Sequence, residues 1–213
     1  MASLRVTEIF RSLQGESRTV GLPTVFVRLT GCPLRCAWCD TAYAFTGGLR
    51  KTIEEILAEV AHLQARHVCV TGGEPLAQPD CLPLLDSLVE AGYEVSLETS
   101  GALDVAGVHP KVVKVMDLKP PGSGEAAANR FENLAHIRPA DQIKFVIRDE
   151  TDYLWARDQV REHRLSDRCE VLFSPVAGEQ DPTELAERIL NDRLDVRFQF
   201  QLHKYLWGDR TGV

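Results

Sequence analysis

Thr24-Val25-Phe26-Val27-Arg28-Leu29-Thr30-Gly31-Cys32-Pro33-Leu34-Arg35-Cys36-Ala37-Trp38-Cys39-Asp40-Thr41 runs from a β-branched strand directly into a loop with three cysteines. Branched and aromatic residues suit the pleated strand, and nothing in residues 24–30 interrupts it. The loop spaces its thiols as C-x3-C-x2-C. Thiolates so spaced can converge on one face of an iron–sulfur cube and supply three of its four ligands. One iron then stays open to bind and activate a small molecule, whereas four thiolates suit plain electron transfer. A structural zinc site is the competing reading, but such sites pair two Cys or His knuckles and close at four protein ligands. Cys69, Cys81 and Cys169 stand alone and far apart, so no second knuckle follows; Asp40 or a distant His remains open as a fourth ligand. A disulfide ranks last, because nothing else points to an oxidising compartment.

Outward from this stretch, strands and helices alternate. The N-terminal segment through Ile9-Phe10 leads into a polar loop, Gln14-Gly15-Glu16-Ser17. After the cysteines, Thr52 is positioned as an N-cap, with Glu54 and Glu55 in the first turn of a helix whose apolar residues run from Ile53 to Leu63. Strands are expected over 67–71, 93–98, 112–117, 142–147, 169–173 and about 196–202. Further helices are expected over 79–92, 151–162 and 182–190. This alternation signals parallel βαβ units, and about six are too few for a closed eight-fold barrel. The expected fold is therefore α/β: a partial parallel β/α barrel of about six strands, one domain over residues 1–213 with its cluster loop at 31–41. Residues 119–125, rich in Pro and Gly, form a loop within it. Sites in parallel α/β folds gather at the carboxyl ends of strands. Here those ends carry the cysteine loop, Gly72-Gly73-Glu74-Pro75, Glu98-Thr99-Ser100-Gly101, Asp117-Leu118-Lys119 and Ser174-Pro175, which should line one mouth.

Composition excludes several classes. A hydrophobic fraction of 44% and a charged fraction of 26% describe an ordinary globular chain. The net charge of −7 argues against general nucleic-acid binding, which shows a basic stripe. No apolar run is long enough to span a bilayer, and Met1-Ala2-Ser3-Leu4-Arg5-Val6-Thr7-Glu8 lacks a signal-peptide core. A cytoplasmic protein with free thiols is expected.

The cysteine spacing, with aromatic Trp38 before the last thiol, resembles the signature of the radical S-adenosylmethionine superfamily, and Gly72-Gly73-Glu74 resembles its GGE element. A narrower likeness spans nearly the whole chain: Glu8-Ile9-Phe10-Arg11-Ser12-Leu13-Gln14-Gly15-Glu16, Arg28, Cys39-Asp40-Thr41, Thr71 through Pro75, Glu98 through Gly101, and Gln201-Leu202-His203-Lys204-Tyr205-Leu206-Trp207-Gly208. It is similar in order to the 7-carboxy-7-deazaguanine synthase family of queuosine synthesis. That family contracts the ring of 6-carboxy-5,6,7,8-tetrahydropterin with loss of ammonia.

The resemblance implies a 4Fe-4S cluster on Cys32, Cys36 and Cys39, magnesium on Thr41, and substrate contacts from Leu13, Gln14, Gly15, Glu16, Arg28, Thr71 and the Val213 carboxylate. It implies S-adenosylmethionine contacts from Gly73, Glu74, Asp117, Leu118, Lys119, Ser174, Pro175, Val176 and Ala177. Asp117-Leu118-Lys119 departs from the Ser-Pro-Lys of many relatives while keeping the lysine. A homodimer and a flavodoxin-like electron donor are implied as partners, with no role for nucleic acid or membrane. The residue chemistry agrees: an arginine at a strand exit can clamp a carboxylate through two N–H groups, and a hydroxyl is a hard oxygen ligand for magnesium. Each residue also has a plainer reading. Arg28 suits a surface ion pair, Glu74 a helix-start carboxylate, Thr41 and Thr71 turn or strand-end hydroxyls, and Trp38 loop packing. His203 reads as a structural or solvated tail residue. Two other functions share these features: an activase that places a glycyl radical on a partner protein, and a zinc-stabilised binding module without catalysis.

Overall fold

The computed structural model describes residues 2–208 and 210–213. Strands β1 (Ser3–Leu13) and β2 (Pro23–Leu29) pair antiparallel, and β3 (Leu49–Thr52) pairs antiparallel with the outer side of β1. From β2 onward every neighbour is parallel: β4 (His67–Gly72), β5 (Glu94–Thr99), β6 (Val113–Asp117), β7 (Gln142–Ile147), β8 (Glu170–Pro175) and the two-residue β9 (Arg197–Phe198). The sheet order is β3-β1-β2-β4-β5-β6-β7-β8-β9, and it does not close. This is the incomplete parallel β/α barrel that the alternation implied.

Helices cover one face. Helix α1 (Ile53–His62) starts from a capping box in which Thr52 and Glu55 satisfy each other's backbone N–H groups. Helix α2 (Cys81–Glu90) follows β4, α3 (Glu150–Glu162) is capped by Asp149, and α4 (Pro182–Asn191) by Asp181. Because strand side chains alternate, one set packs under these helices: Val25, Val27, Val68, Val70, Leu97, Phe145 and Phe173 are fully buried with Ile56, Leu84, Leu88 and Leu185. The opposite set presents Arg28, Thr71, Glu98, Asp117 and Lys144 to the other face, at or near the carboxyl ends of their strands.

Two features fill stretches to which the sequence reading assigned no strand or helix, and a third departs from it. The N-terminal segment is an eleven-residue strand that adds an antiparallel edge, completed by β3. The crossovers from β5 to β6 and from β6 to β7 contain no α-helix; the second consists of short 3-10 turns at Pro121–Ser123, Ala126–Ala128 and Phe131–His136. Gly and Pro break helical periodicity there, and buried Asn133 replaces it by donating to Gly101 and Leu103 carbonyls (2.9 and 2.8 Å) and accepting from Val105 N–H at 3.2 Å. The last expected strand shrinks to β9 and gives way to a short helix, α5 (Leu202–Trp207). The Gln199 side chain bonds both backbone groups of Ser17, and Leu202 N–H donates to Gly15 O, so the tail folds across the sheet. Among the described residues no helix is long and apolar enough to cross a membrane.

Candidate active site

A cavity of about 640 Å³ opens at the carboxyl ends of the parallel strands. Its volume falls in the usual range for small-molecule sites. Cys32, Cys36 and Cys39 line one side, and all three are partly buried and free of disulfides. Their loop is clasped from two directions. Glu74 N–H donates to Gly31 O at 2.7 Å and Gly73 N–H to Leu29 O at 3.2 Å. From the β6 side, Ala37 N–H donates to Ser123 O at 3.0 Å, and the Glu125 carboxylate accepts from Arg35 N–H. A Cβ on Gly73 would lie 2.2 Å from Gly31 O, so only glycine lets the two loops approach this closely. Burial pushes the Cys32 and Cys36 thiols above their ordinary value, against the pull of the Lys119 ammonium. Among the described residues no three His, Cys, Asp or Glu side chains gather closely enough to hold a single metal ion. A tetrahedral zinc site needs its ligands around one ion; a cube takes each thiolate on a different iron.

The rest of the lining carries pre-arranged polar groups. Glu98 of β5 accepts from Thr71 Oγ1 at 3.0 Å and from Gln14 Nε2 at 3.3 Å. Lys144 of β7, only 6% exposed, lies 2.7 Å from Glu16 Oε2 and 3.3 Å from Asp117 Oδ1, while Lys119 lies 2.7 Å from Asp117 Oδ2. The Asp117 carboxyl sits below its ordinary value: burial alone would raise it, and the two ammonium groups outweigh burial. Arg28 meets Glu8 at 2.7 Å, with Phe10 and Tyr43 rings on either hand. Trp38 also lines the cavity, with the Arg148 guanidinium 5.7 Å from its ring centre.

The tail covers the mouth. Gln201 donates to Glu16 Oε1 at 3.1 Å, and His203 packs so tightly on Gly15 that a Cβ there would lie 2.2 Å from its Nδ1. Asp40 lies 3.6 Å from His203 and 3.7 Å from Lys204. Burial would raise the Asp40 carboxyl, yet the His203 hydrogen bond and the nearby Lys204 charge bring it down to about 2.

Of the residues singled out in the sequence, Leu13, Gln14, Gly15, Glu16, Arg28, Thr41, Thr71, Gly73, Asp117, Lys119, Val176, Ala177 and Val213 share this cavity with the three cysteines. Four do not bring their side chains to it. Glu74 is fully buried and accepts from Thr99 Oγ1, Ser100 N–H, Ser100 Oγ and Leu76 N–H, which tie the β4 turn to the end of β5. Leu118 belongs to the apolar core, and Ser174 and Pro175 are buried at the end of β8. For Leu118 and Pro175 strand alternation turns the side chain away from the cavity, whereas Glu74 is drawn inward by the Thr99 and Ser100 hydroxyls. Cys69, Cys81 and Cys169 are core thiols, with Cys81 pushed up to about 12 and Cys169 to about 11, chiefly by burial. Lys144 and Tyr43 were given no role by the sequence reading, and Glu98 only a place at the shared mouth. For Lys144 the available signal was a charged side chain inside the largely apolar strand 142–147.

An open β/α barrel with three thiols at the exit of a strand defines a class of enzyme, and the Radical SAM superfamily profile matches residues 26–117. A 7-carboxy-7-deazaguanine synthase from Koribacter versatilis (strain Ellin345) is 45% identical over 223 residues, covering 98% of this chain and 99% of that protein. The protein of that name from Chlorobaculum tepidum is 45% identical over 216 residues, covering 100% and 98%. With such likeness along its full length, the chain belongs to the 7-carboxy-7-deazaguanine synthase family. The crystal structure of QueE from Escherichia coli superposes with a TM-score of 0.77 at 26% identity, covering 95% of this chain and 96% of that one.

Proposed function

We propose that this chain converts 6-carboxy-5,6,7,8-tetrahydropterin to 7-carboxy-7-deazaguanine and ammonia, in the synthesis of queuosine and related 7-deazapurines. The observation that carries this reading is one cavity that joins the three-cysteine loop to a wall suited to a carboxylated pterin. The conversion is redox-neutral overall and loses one ammonia. With a 4Fe-4S cluster and S-adenosylmethionine bound, the chemistry supplied is one-electron cleavage to a hydrogen-abstracting radical.

The chain's own residues bind and orient. Cys32, Cys36 and Cys39 would hold the cluster, each partly buried thiol facing the shared cavity. Gly73, through its main chain, with Asp117, Lys119, Val176 and Ala177, would receive S-adenosylmethionine within the same cavity. Arg28 would clamp the substrate carboxylate with its two terminal N–H groups. Glu98, held by Thr71 and Gln14, would accept from the amino edge of the pterin, alongside Glu16 and the Leu13–Gly15 backbone. Thr41 lines the cavity with its hydroxyl 3.8 Å from Cys39 Sγ and would supply an oxygen ligand for magnesium. Val213, in the cavity lining, would help close the pocket, and the tail laid over Gly15 and Glu16 would exclude water. The exposed apolar side chains Phe200, Tyr205 and Leu206 of this tail support the homodimer implied by the family resemblance. A cytoplasmic setting and a flavodoxin-like reductant complete the reading.

The test is an anaerobic assay of reconstituted protein with dithionite, magnesium, S-adenosylmethionine and the tetrahydropterin, followed by chromatography. Formation of 7-carboxy-7-deazaguanine that depends on S-adenosylmethionine is expected. Cys36→Ala should lose cluster absorbance and all product while keeping its far-UV spectrum. Deoxyadenosine without the deazapurine would overturn the substrate and favour the activase; iron-free protein holding zinc would overturn the radical chemistry.

A further inference from the structure

Glu8 lies outside the cavity lining, yet it touches the side chain on which carboxylate recognition depends. A bulge in β1 puts it there. The register between β1 and β2 pairs Val6 with Leu29 and Glu8 with Arg28, leaving Thr7 as an extra residue. The bulge is fixed by Thr7 Oγ1, 2.8 Å from Thr30 Oγ1, and by Thr30 N–H donating to Arg5 O at 2.9 Å. Directly opposite residues of an antiparallel pair share a face, so Glu8 and Arg28 meet side by side.

The contact is selective within the guanidinium. Arg28 Nε donates to Glu8 Oε1 at 2.7 Å, and the same oxygen accepts from Tyr43 O–H at 2.7 Å. Among the described residues neither terminal nitrogen of Arg28 makes a hydrogen bond, although the side chain is only 13% exposed. Its guanidinium carbon stands 5.9 Å from the ring centres of both Phe10 and Tyr43. The plane is thus held at its Nε edge and flanked by two rings, while its two-pronged end is left for the cavity.

We infer that Glu8, with Tyr43 behind it, is a positioning residue that aims the terminal nitrogens of Arg28 at the substrate carboxylate. The inference rests on the functional reading above and deepens it. The role is geometric: Glu8 supplies an acceptor oxygen at a fixed place, and its charge, near an incoming carboxylate, is no help to binding. A neutral acceptor of the same shape therefore suffices.

Equilibrium binding to the anaerobically reconstituted enzyme separates this role from a structural one. The probes are 6-carboxypterin and pterin, which differ only in the carboxylate. Glu8→Ala should weaken 6-carboxypterin about tenfold and leave pterin within about twofold, since an oriented charge-assisted contact is worth roughly 1.4 kcal/mol per factor of ten. Glu8→Gln should restore most of the loss, and Tyr43→Phe should show a smaller selective loss. In an Arg28→Ala background, Glu8→Ala should cost nothing further. Equal weakening of both ligands, an added loss in the Arg28→Ala background, or no rescue by glutamine overturns the inference. Wild-type protein that binds neither pterin overturns the functional reading itself, whereas selective binding indifferent to Glu8 overturns only this proposal.

Discussion

The paired strands β6 and β7 carry a buried ion cluster at each end, and the two clusters are built differently. At the amino end, Asp141 is wholly buried and saturated: Lys114 Nζ at 2.8 Å, Lys114 N–H at 2.9 Å, Arg138 N–H at 2.9 Å, and Arg138 Nε and Nη2 at 3.1 and 3.0 Å. At the carboxyl end, Asp117 pairs in register with Lys144 but stands 3.3 Å from its ammonium, and Asp117 Oδ1 has no hydrogen-bond partner among the described residues. That ammonium is shared with Glu16, and the group borders the cavity. Opposite ends of one strand pair thus separate a cluster that locks the backbone from one with bonding capacity left for a ligand.

Removing one partner at the closed end should have the largest effect. Asp141→Asn leaves Lys114, 2% exposed, without its counter-charge, and the loss of a buried partner costs about 3–5 kcal/mol. Urea unfolding should show that loss, with KM for the pterin unchanged in the protein that remains folded. Lys144→Met should do the reverse. Cavity water can solvate Glu16 and Asp117, so the unfolding midpoint should move far less than in Asp141→Asn. Meanwhile kcat/KM should fall at least about tenfold, equivalent to roughly 1.4 kcal/mol of transition-state stabilisation. A Lys144→Met enzyme with wild-type kinetics would break the contrast.

The smallest effect is on acid stability. Burial alone would raise the Asp141 carboxyl, but hydrogen bonds from Arg138 and Lys114 outweigh it and leave the folded-state value below the ordinary one. The unfolded chain then binds more protons, so this contribution is complete above about pH 4 and is lost as pH falls through the lowered folded-state value. Asp117 is depressed in the same direction. Unfolding midpoints measured downward from pH 5 should fall less steeply in both Asp141→Asn and Asp117→Asn than in the wild type. A wild-type slope in both variants would refute the assignment.

Much of this was legible in the chain. Branched runs such as Thr24–Thr30 and Gln142–Ile147 announced parallel strands, and the chemistry at their ends announced a shared mouth. What escaped was set by contacts distant in sequence. No local pattern distinguishes Glu74 from Glu98, both acidic residues at strand ends, yet one is consumed by Thr99 and Ser100 while the other faces the cavity. The helix-free crossovers depend on Asn133 reaching back to Gly101, thirty-two residues away. The tail reads as a strand by composition, but Gln199 and Gln201 find better partners in Ser17 and Glu16.

The sequence by itself carried the three-cysteine signature, the family likeness and the alternation of elements, because residue spacing and side-chain periodicity are local properties that survive any packing. Tertiary structure alone decided which charges are spent on the fold and which remain for ligands. The reason is that burial, register and the β1 bulge set the distance between groups far apart in the chain, and that distance determines which donors and acceptors are already satisfied.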